Sequence, residues 1–188
     1  MVLSKKVMGV IIIGLMVLST VALVIVDLAV GPSGSLKYNG FKFQPVSNQF
    51  IAKINGEEHR FLFFPGDIEF IQISSEVKAL LEKPVLTVAY NPNSSIAQNL
   101  AEVQYYFELQ LKDDKVIERA LTDNTNTELI QKSCSDATDA QPVIYLEQGN
   151  VSKLVADGNC IKLTALDPYD LYQQSERIIY HVLGVING

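Results

Sequence analysis

Histidine is scarce in this sequence, and several residue patterns on which enzymes depend are absent. Only His59 and His181 occur among 188 residues, and neither belongs to a His-Glu-x-x-His motif or another closely spaced set of metal ligands. The sequence has no Gly-x-Ser-x-Gly turn for a serine nucleophile and no glycine-rich phosphate loop. Asp136 and Asp139 lack the spacing and the closing glutamate of an EF-hand. We therefore predict no catalytic residue, no metal and no cofactor.

Basic residues are outnumbered in the chain. There are 15 lysines and arginines against 21 aspartates and glutamates, which gives a net charge of −6 at pH 7. Proteins that bind a phosphate backbone need a basic surface, so this balance argues against a nucleic-acid partner. The acidic residues are scattered, as is typical of a surface that keeps a protein in solution.

One long stretch, Val7–Val26, contains no charged residue. Such a run is long enough to cross the roughly 30 Å hydrocarbon core of a bilayer as a helix. Lys5 and Lys6 precede it, so the positive-inside rule predicts a cytoplasmic N-terminus and an extracytoplasmic remainder. We therefore expect a single-pass protein of the cell membrane that contacts the lipid bilayer through Val7–Val26.

Two alternatives compete with this membrane anchor. A cleaved signal peptide has an apolar region of about 7 to 15 residues and an Ala-x-Ala-like site. The run here is longer, and Ala22 and Ala29 are not spaced in that pattern. A buried core helix would show a polar face at the helical period, and none is present. We expect the anchor to remain uncleaved.

The two cysteines, Cys134 and Cys160, are 26 positions apart in the predicted extracytoplasmic part, where disulfides persist. Both lie beside turn-forming residues, so we predict a structural disulfide bond between them. Redox-active cysteines are usually close together at a helix N-terminus, which lowers a thiol pKa, and this pair does not have that arrangement.

The residue pattern after the anchor predicts an α/β fold. Short alternating runs with turns at Ser47-Asn48 and Asn55-Gly56 predict a small antiparallel β meander. The apolar run VLTVAY, a helical stripe from Ile96 to Leu111 and the run KVIERAL then predict a βαβ unit. Ser95 and Gln98 have the spacing of a capping box at the start of that helix. The predicted divisions are a cytoplasmic N-terminus at 1–6, a transmembrane anchor at 7–30, a linker at 31–37, the meander and a connector at 38–84, and an α/β domain at 85–188.

Beyond this unit, PVIYLEQ, VSKLVAD and CIKLTAL read as antiparallel strands that precede a final helix opened by Asp167-Pro168. The order of elements from Val85, and the stretch PVIYLEQGNVSKLVADG in particular, resembles the thioredoxin-like fold. The resemblance implies a mixed sheet and makes Pro142 the family's cis proline. The family's redox pair would fall within residues 91–96, which contain no cysteine, so its usual activity is not implied.

The loop after the buried strand is the best location for a ligand or partner site. Asn91, Asn93, Ser94 and Ser95 lie between the carboxyl end of a strand and the N-terminus of a helix, where backbone donors can bind an anion. The same residues also suit an ordinary turn and cap. Asn93 and Asn150 each begin an Asn-x-Ser acceptor pattern for glycosylation, and Asn150 should be the better exposed.

Two hypotheses for function follow from these patterns. The first is a non-catalytic binding or assembly domain that engages another envelope or membrane protein. The second is a membrane-tethered relative of thiol-disulfide oxidoreductases that uses Cys134 and Cys160. A stable, buried disulfide would favour the first hypothesis, and a labile one would favour the second.

Overall fold

The computed structural model describes residues 34–123 and 129–187, in which ten strands form two separate sheets. From Leu36 onward the chain forms one compact unit. The first strand begins inside the predicted linker 31–37, and the main hydrophobic core contains side chains from the meander and from the final helix alike. The α/β architecture agrees with the alternation of strand and helix patterns in the sequence.

The first sheet is a four-stranded antiparallel meander, as predicted. Its strands, in spatial order, are β1 (Leu36–Tyr38), β2 (Phe41–Val46), β3 (Gln49–Ile54) and β4 (Glu57–Phe61). The turn between β3 and β4 has positive φ at Asn55 and Gly56, which are the residue types that tolerate this conformation. Phe43 and Phe61 are fully buried and fix the face of the meander that enters the core.

The connector that the sequence left ambiguous contains two short helices, α1 (Pro65–Ile68) and α2 (Ser75–Leu81). The hydroxyl of Ser74 caps α2 by accepting a hydrogen bond from the backbone N–H of Val77 at 3.3 Å. No strand forms over Ile68–Ile73 although its residues alternate, because α1 occupies its start and Ile68 and Ile73 are buried in the core.

The second sheet has six strands and mixed direction. Its elements in chain order are β5 (Val85–Tyr90), α3 (Ala97–Leu111), β6 (Val116–Leu121), β7 (Ile130–Gln131), β8 (Val143–Gln148), β9 (Lys153–Asp157), β10 (Cys160–Ala165) and α4 (Pro168–Val182). The spatial order of the strands is β7-β6-β5-β8-β10-β9. Strands β5 and β6 are parallel, so β5, α3 and β6 form the predicted βαβ unit.

The last three strands are arranged differently from the prediction. Strand β10 pairs parallel to β8 and antiparallel to β9, so β10 lies between them and β8 and β9 form no hairpin. The burial of each strand explains this order. Strand β8 buries Val143, Ile144 and Leu146 and needs neighbours on both edges, whereas every residue of β9 is partly or fully exposed, as suits an edge strand.

The two faces of this sheet are covered unequally. Helices α3 and α4 pack on the face that carries Val88, Ile144 and Leu163. Alternate residues point to the opposite face, where Ala89, Ala120, Val143 and Cys160 form a small second cluster. Residues 129–141, which we call the covering segment, contribute Cys134 and Ala137 to that cluster. The second face therefore depends on an irregular segment for its cover.

The transmembrane element of the predicted fold class requires correction. Among residues 34–123 and 129–187, no helix is long and apolar enough to cross a membrane. The two longest, α3 and α4, have 15 residues each and extend about 22 Å, which is shorter than the roughly 30 Å core of a bilayer. The predicted cytoplasmic segment 1–6, the anchor 7–30 and its bilayer contact through Val7–Val26 lie outside the described residues. Because no helix of the described residues could cross a membrane, the predicted placement in the cell membrane with an extracytoplasmic C-terminal domain is withdrawn.

The prediction of a cis peptide bond at Pro142 is also wrong, because no peptide bond of the described residues is cis. The chain reverses just before this proline, in a turn closed by backbone hydrogen bonds between Thr138 and Gln141, so no cis bond is needed there. The carbonyl of Pro142 then accepts from the backbone N–H of Thr87 at 2.9 Å and starts the pairing of β8 with β5. The wider resemblance to the thioredoxin-like fold stays a prediction.

Glu176 of α4 connects the meander to the second sheet. It is fully buried, and its carboxylate accepts from the backbone N–H of Leu62 at 2.7 Å, from that of Phe63 at 2.9 Å and from the Tyr106 hydroxyl at 2.9 Å. Burial raises the pKa of Glu176 to about 7, even though these three hydrogen bonds favour the ionised carboxylate.

We expect this carboxyl group to make the stability of the protein depend on pH between about 4.5 and 7. In that range the folded protein binds a proton at Glu176 that the unfolded chain does not bind. The contribution of this group is therefore present below pH 4.5 and decreases by about 3 kcal/mol as the pH rises to 7. Urea unfolding at a series of pH values would measure this change.

Glu176→Gln is the control for the pH dependence, because glutamine does not titrate. His181 would act in the opposite direction, since burial lowers its pKa and makes the folded protein bind fewer protons than the unfolded chain. Both proteins keep His181, so the difference between their unfolding free energies isolates Glu176. A difference that stays constant from pH 4.5 to 7 would contradict the expectation.

Candidate functional site at the carboxyl edge of the second sheet

The order of strands in the second sheet creates a topological switch point between β5 and β8. From β5 the chain passes through α3 to β6 on one side, and β8 later pairs parallel to β5 on the other side. In open α/β sheets, the loops at the carboxyl ends of the two strands at such a point diverge and leave a crevice where ligands bind. We therefore expect a ligand or partner site at the loops that follow β5 and β8.

The loop after β5 contains the predicted residues Asn91, Asn93, Ser94 and Ser95. It folds as a turn in which the Asn91 side-chain oxygen accepts from the backbone N–H of Asn93 at 2.9 Å, and the Asn91 carbonyl accepts from that of Ser94 at 3.1 Å. The side chains of Asn91, Asn93 and Ser95 are exposed. The predicted capping box is not formed, because α3 begins after Ile96 and its N-cap makes no side-chain hydrogen bond.

Instead of capping α3, Ser95 connects the two loops at the switch point. Its hydroxyl donates a hydrogen bond of 2.6 Å to the side-chain oxygen of Gln148, the last residue of β8. The Asn93 amide donates to Asp123, which follows β6, at 3.2 Å. The four predicted residues thus lie together with the ends of β6 and β8, a juxtaposition that the sequence did not reveal.

An exposed apolar group continues this edge beyond β8. Val151, Leu166 and Tyr169 are 66%, 48% and 63% exposed. Asp170, next to Tyr169, links the other two positions, because its carboxylate accepts from the hydroxyl of Ser152, which follows Val151, at 2.8 Å and from the backbone N–H of Leu166 at 2.9 Å.

We call the whole set the carboxyl-edge surface. Its polar part comprises Asn91, Asn93, Ser95, Gln148 and Asn150, and its apolar part comprises Val151, Leu166 and Tyr169. The two parts are continuous along the chain from Gln148 to Val151.

Three features fix the shape of this surface. The Tyr169 ring packs edge-on against Phe63, with ring centroids 5.0 Å apart. The backbone N–H of Gly149 donates to the Ala165 carbonyl at 2.9 Å. A Cβ at Gly149 would clash with the methyl group of Thr164, so any larger residue at this turn requires the Thr164 side chain to move.

The two predicted glycosylation acceptors, Asn93 and Asn150, both lie on the carboxyl-edge surface and are both exposed. The side chain of Asn93 is engaged with Asp123, whereas no hydrogen bond is found for the Asn150 side chain within the described residues. Asn150 is therefore the more accessible acceptor, and glycosylation at either position stays a prediction.

The predicted disulfide bond between Cys134 and Cys160 is present, with an S–S distance of 2.04 Å and a Cα–Cα distance of 5.2 Å. It attaches a 3₁₀ turn of the covering segment, Cys134–Asp136, to the first residue of β10. The bond lies on the sheet face opposite α3 and α4, among Ala89, Ala120 and Val143. It is thus separate from the start of α3, where the redox pair of a thioredoxin-like protein would lie.

Glu118 provides the second attachment of the covering segment. Its carboxylate accepts from Lys132 at 2.5 Å, from Gln141 at 2.6 Å and from the Thr87 hydroxyl at 3.1 Å. Burial opposes ionisation of Glu118, but the hydrogen bonds from Lys132 and Thr87 outweigh it and lower its pKa. The patterns in the sequence did not single out Glu118, because its partners are distant from it along the chain.

The sequence-based interpretation missed Tyr169 and Asp170, although the helix start at Asp167-Pro168 was recognised. Asp167 caps α4 as predicted, since its side chain accepts from the backbone N–H of Asp170. The scarce histidines lie elsewhere, with His59 buried against Gln110 at 2.9 Å. No group of three or more His, Cys, Asp or Glu side chains within residues 34–123 and 129–187 is placed to hold a metal ion.

The chain is thus an α/β protein in which a four-stranded meander and a six-stranded mixed sheet share one core, with a structured surface at a switch point. No protein family, no curated protein and no solved structure matches it. The carboxyl-edge surface is therefore the feature from which a function is inferred.

Proposed function

We propose that this domain is a non-catalytic binding or assembly module that holds a polypeptide partner on the carboxyl-edge surface. The observation that carries the proposal is the continuity of this surface. The bond between Ser95 and Gln148 joins two loops at a switch point, and Val151, the first residue of the exposed apolar group, follows directly after Asn150.

The residue types on this surface favour a polypeptide over a small molecule. Tyrosine supplies a large and rigid contact area, while asparagine, serine and glycine supply hydrogen bonds that adapt to a partner. Protein interfaces combine an apolar centre, often aromatic, with a polar rim. Tyr169, Leu166 and Val151 provide such a centre, and the amides of Asn91, Asn93 and Asn150 provide one side of such a rim.

The surface is also largely preorganised. Asp170 binds the Ser152 hydroxyl and the backbone N–H of Leu166, Asp167 caps the start of α4, and Phe63 supports the Tyr169 ring. This surface would therefore lose little conformational entropy when a partner binds. The partner that fits has an apolar side chain for the Tyr169 group and an extended backbone segment that bonds to the amides.

Site-specific photo-crosslinking of the full chain, in cells that express it, would test this function. A benzophenone amino acid would replace Tyr169 in one protein and Asn150 in a second. We expect both to crosslink to the same heterologous polypeptide. We also expect Leu166→Asp to reduce the yield at Tyr169 by about tenfold, because an interface centre excludes unpaired charge.

Tyr105 is the matched control position, because it is also an exposed tyrosine, at 54%, but lies on α3 away from the carboxyl-edge surface. A product of similar yield at Tyr105 would contradict the proposal, since it would indicate non-selective capture. Absence of a product at both Tyr169 and Asn150 would also contradict it, and so would a product that contains only a second copy of the chain.

A further inference from the structure

The two sulfur atoms of the disulfide bond lie in unequal surroundings. Cys160 is 1% exposed and is enclosed by Ala89, Ala120 and Val143. Cys134 is only half-buried, at the start of the 3₁₀ turn in the covering segment. A molecule that approaches from solvent therefore meets Cys134 before Cys160.

A cleft leads to the Cys134 side of the bond. Its volume is about 380 Å³, which is within the range of small-molecule sites, roughly 300 to 1,000 Å³. The residues that line it are Thr122, Ser133, Cys134, Ser135, Tyr145, Glu147 and Lys162. Cys160 is not among them, so of the two cysteines only Cys134 borders the cleft.

The cleft carries both signs of charge. Lys162 and Tyr145 are neighbours on the adjacent strands β10 and β8, and Glu147 follows on the same face of β8. Lys162 is a cation at neutral pH, and its hydrogen bond to Asp157, at 2.6 Å, raises the pKa of the lysine further. In this cleft the ammonium group of Lys162 can bind a carboxylate of a ligand, and the carboxylate of Glu147 can bind an ammonium group of the same ligand. This combination suits a small zwitterionic thiol.

We propose that Cys134 is a site of S-thiolation by small zwitterionic thiols of the glutathione type. The thiolate attacks the sulfur of Cys134 and forms a new S–S bond to it, while the bond between Cys134 and Cys160 breaks. The electron pair of the broken bond remains on the sulfur of Cys160, which takes up a proton. One thiol and one protein disulfide thus give one mixed disulfide on Cys134 and one thiol at Cys160.

The fold allows this modification without loss of the covering segment. Apart from the disulfide bond, Lys132 and Gln141 bind Glu118, and Asp139 pairs with Lys83 at 2.8 Å. Modification therefore loosens the 3₁₀ turn while both ends of the segment stay attached. This inference does not depend on the carboxyl-edge surface, and its test has a separate readout.

Mapping the products of exchange with reduced glutathione would test the proposal on the full-length, oxidised protein. The reaction is stopped with an alkylating agent, and the two cysteine peptides are identified by mass spectrometry. We expect glutathione on Cys134 and the alkyl group on Cys160, in about tenfold excess over the reverse product, because exchange depends on access to the attacked sulfur. Equal amounts of both products, or an excess of the reverse product, would overturn the proposal.

Two further measurements show whether exchange uses the cleft of the folded protein. The rate should be unchanged in low concentrations of urea, whereas a rate that rises steeply with urea would show attack on unfolded chains and contradict the proposal. Tyr145→Trp should fill the cleft and slow exchange about tenfold, since exchange depends on access. Tyr105→Trp, on α3, is the matched control and should leave the rate unchanged. Equal rates for the two variants would also contradict the proposal.

Discussion

Phe107→Ala is expected to destabilise the protein by about 3 to 5 kcal/mol, which is a large fraction of the total stability of a typical domain. Phe107 of α3 is fully buried in the main core, which also contains Val88 of β5 and Ile178 of α4. Truncation of this ring removes its favourable transfer from water and leaves a cavity between α3, the sheet and α4. The midpoint of urea unfolding measures the loss, and the dependence of the free energy on urea concentration should stay unchanged.

Tyr105→Ala is the control for this substitution, because it removes a ring of similar size from the same helix. The Tyr105 side chain is mostly exposed and lies beside Arg119, whose guanidinium carbon is 5.9 Å from the ring centroid. We expect a loss below about 1 kcal/mol there, as for other exposed cation–π contacts. Similar losses for both variants would show that α3 does not bury the face that carries Phe107.

Removal of the disulfide bond, in the double variant Cys134→Ala and Cys160→Ala, is expected to cost about 2 to 5 kcal/mol. The bond closes a loop between residues 26 positions apart and restricts the unfolded chain accordingly. Alanine suits position 160 because its neighbours are apolar, and a serine hydroxyl there would be buried without a partner. Thermal unfolding of the variant and of the oxidised protein would measure the difference.

Chemical reduction provides the control for this double variant. An excess of dithiothreitol should lower the stability of the natural sequence by a similar amount and should leave the variant unchanged. Crosslinking through Tyr169 should persist in the variant, because the carboxyl-edge surface is held by Asp170 and not by the disulfide. A variant as stable as the oxidised protein would show that Glu118 alone is sufficient to hold the covering segment.

The effect of each substitution distinguishes the two proposals about this protein. Leu166→Asp changes the carboxyl-edge surface and leaves the cleft beside Cys134 intact. Tyr145→Trp changes the cleft and leaves Ser95, Gln148 and Asp170 in place. Failure of selective crosslinking would therefore not contradict the S-thiolation of Cys134. Failure of selective thiol exchange would likewise not contradict partner binding at the carboxyl-edge surface.

Elements that depend on neighbouring residues could be predicted from the sequence. Asn55-Gly56 specifies its turn because these residue types tolerate positive φ, and Asp167-Pro168 starts α4 because the aspartate caps the first turn and proline fits there. The alternating meander and the βαβ unit follow from hydrophobic periodicity. The loop from Asn91 to Ser95 was recognised as a candidate site because it follows a buried strand and precedes a helix.

Local patterns were insufficient where one residue type fits several partners. A serine such as Ser95 can cap a helix or bond across loops, and its choice of Gln148 requires β8 to lie beside β5. The parallel pairing of β8 with β10 depends on which strand edge is free. No residue pattern within either strand indicates which neighbour it will have. Local pattern was also insufficient for Ile68–Ile73. Its alternating residues suit a strand, but the segment forms the end of α1 and a turn, with Ile68 and Ile73 in the core.

The sequence by itself determined the antiparallel meander, the helix that connects β5 to β6, the pairing of the two cysteines and the loop after β5, because each follows from short-range stereochemistry or from there being only two cysteines. Only the tertiary structure decided that Val151, Leu166 and Tyr169 lie around Asp170. It also decided that one cysteine of the disulfide borders a cleft while the other is buried. These arrangements arise from contacts between distant segments, which form when the sheet brings its strand ends together.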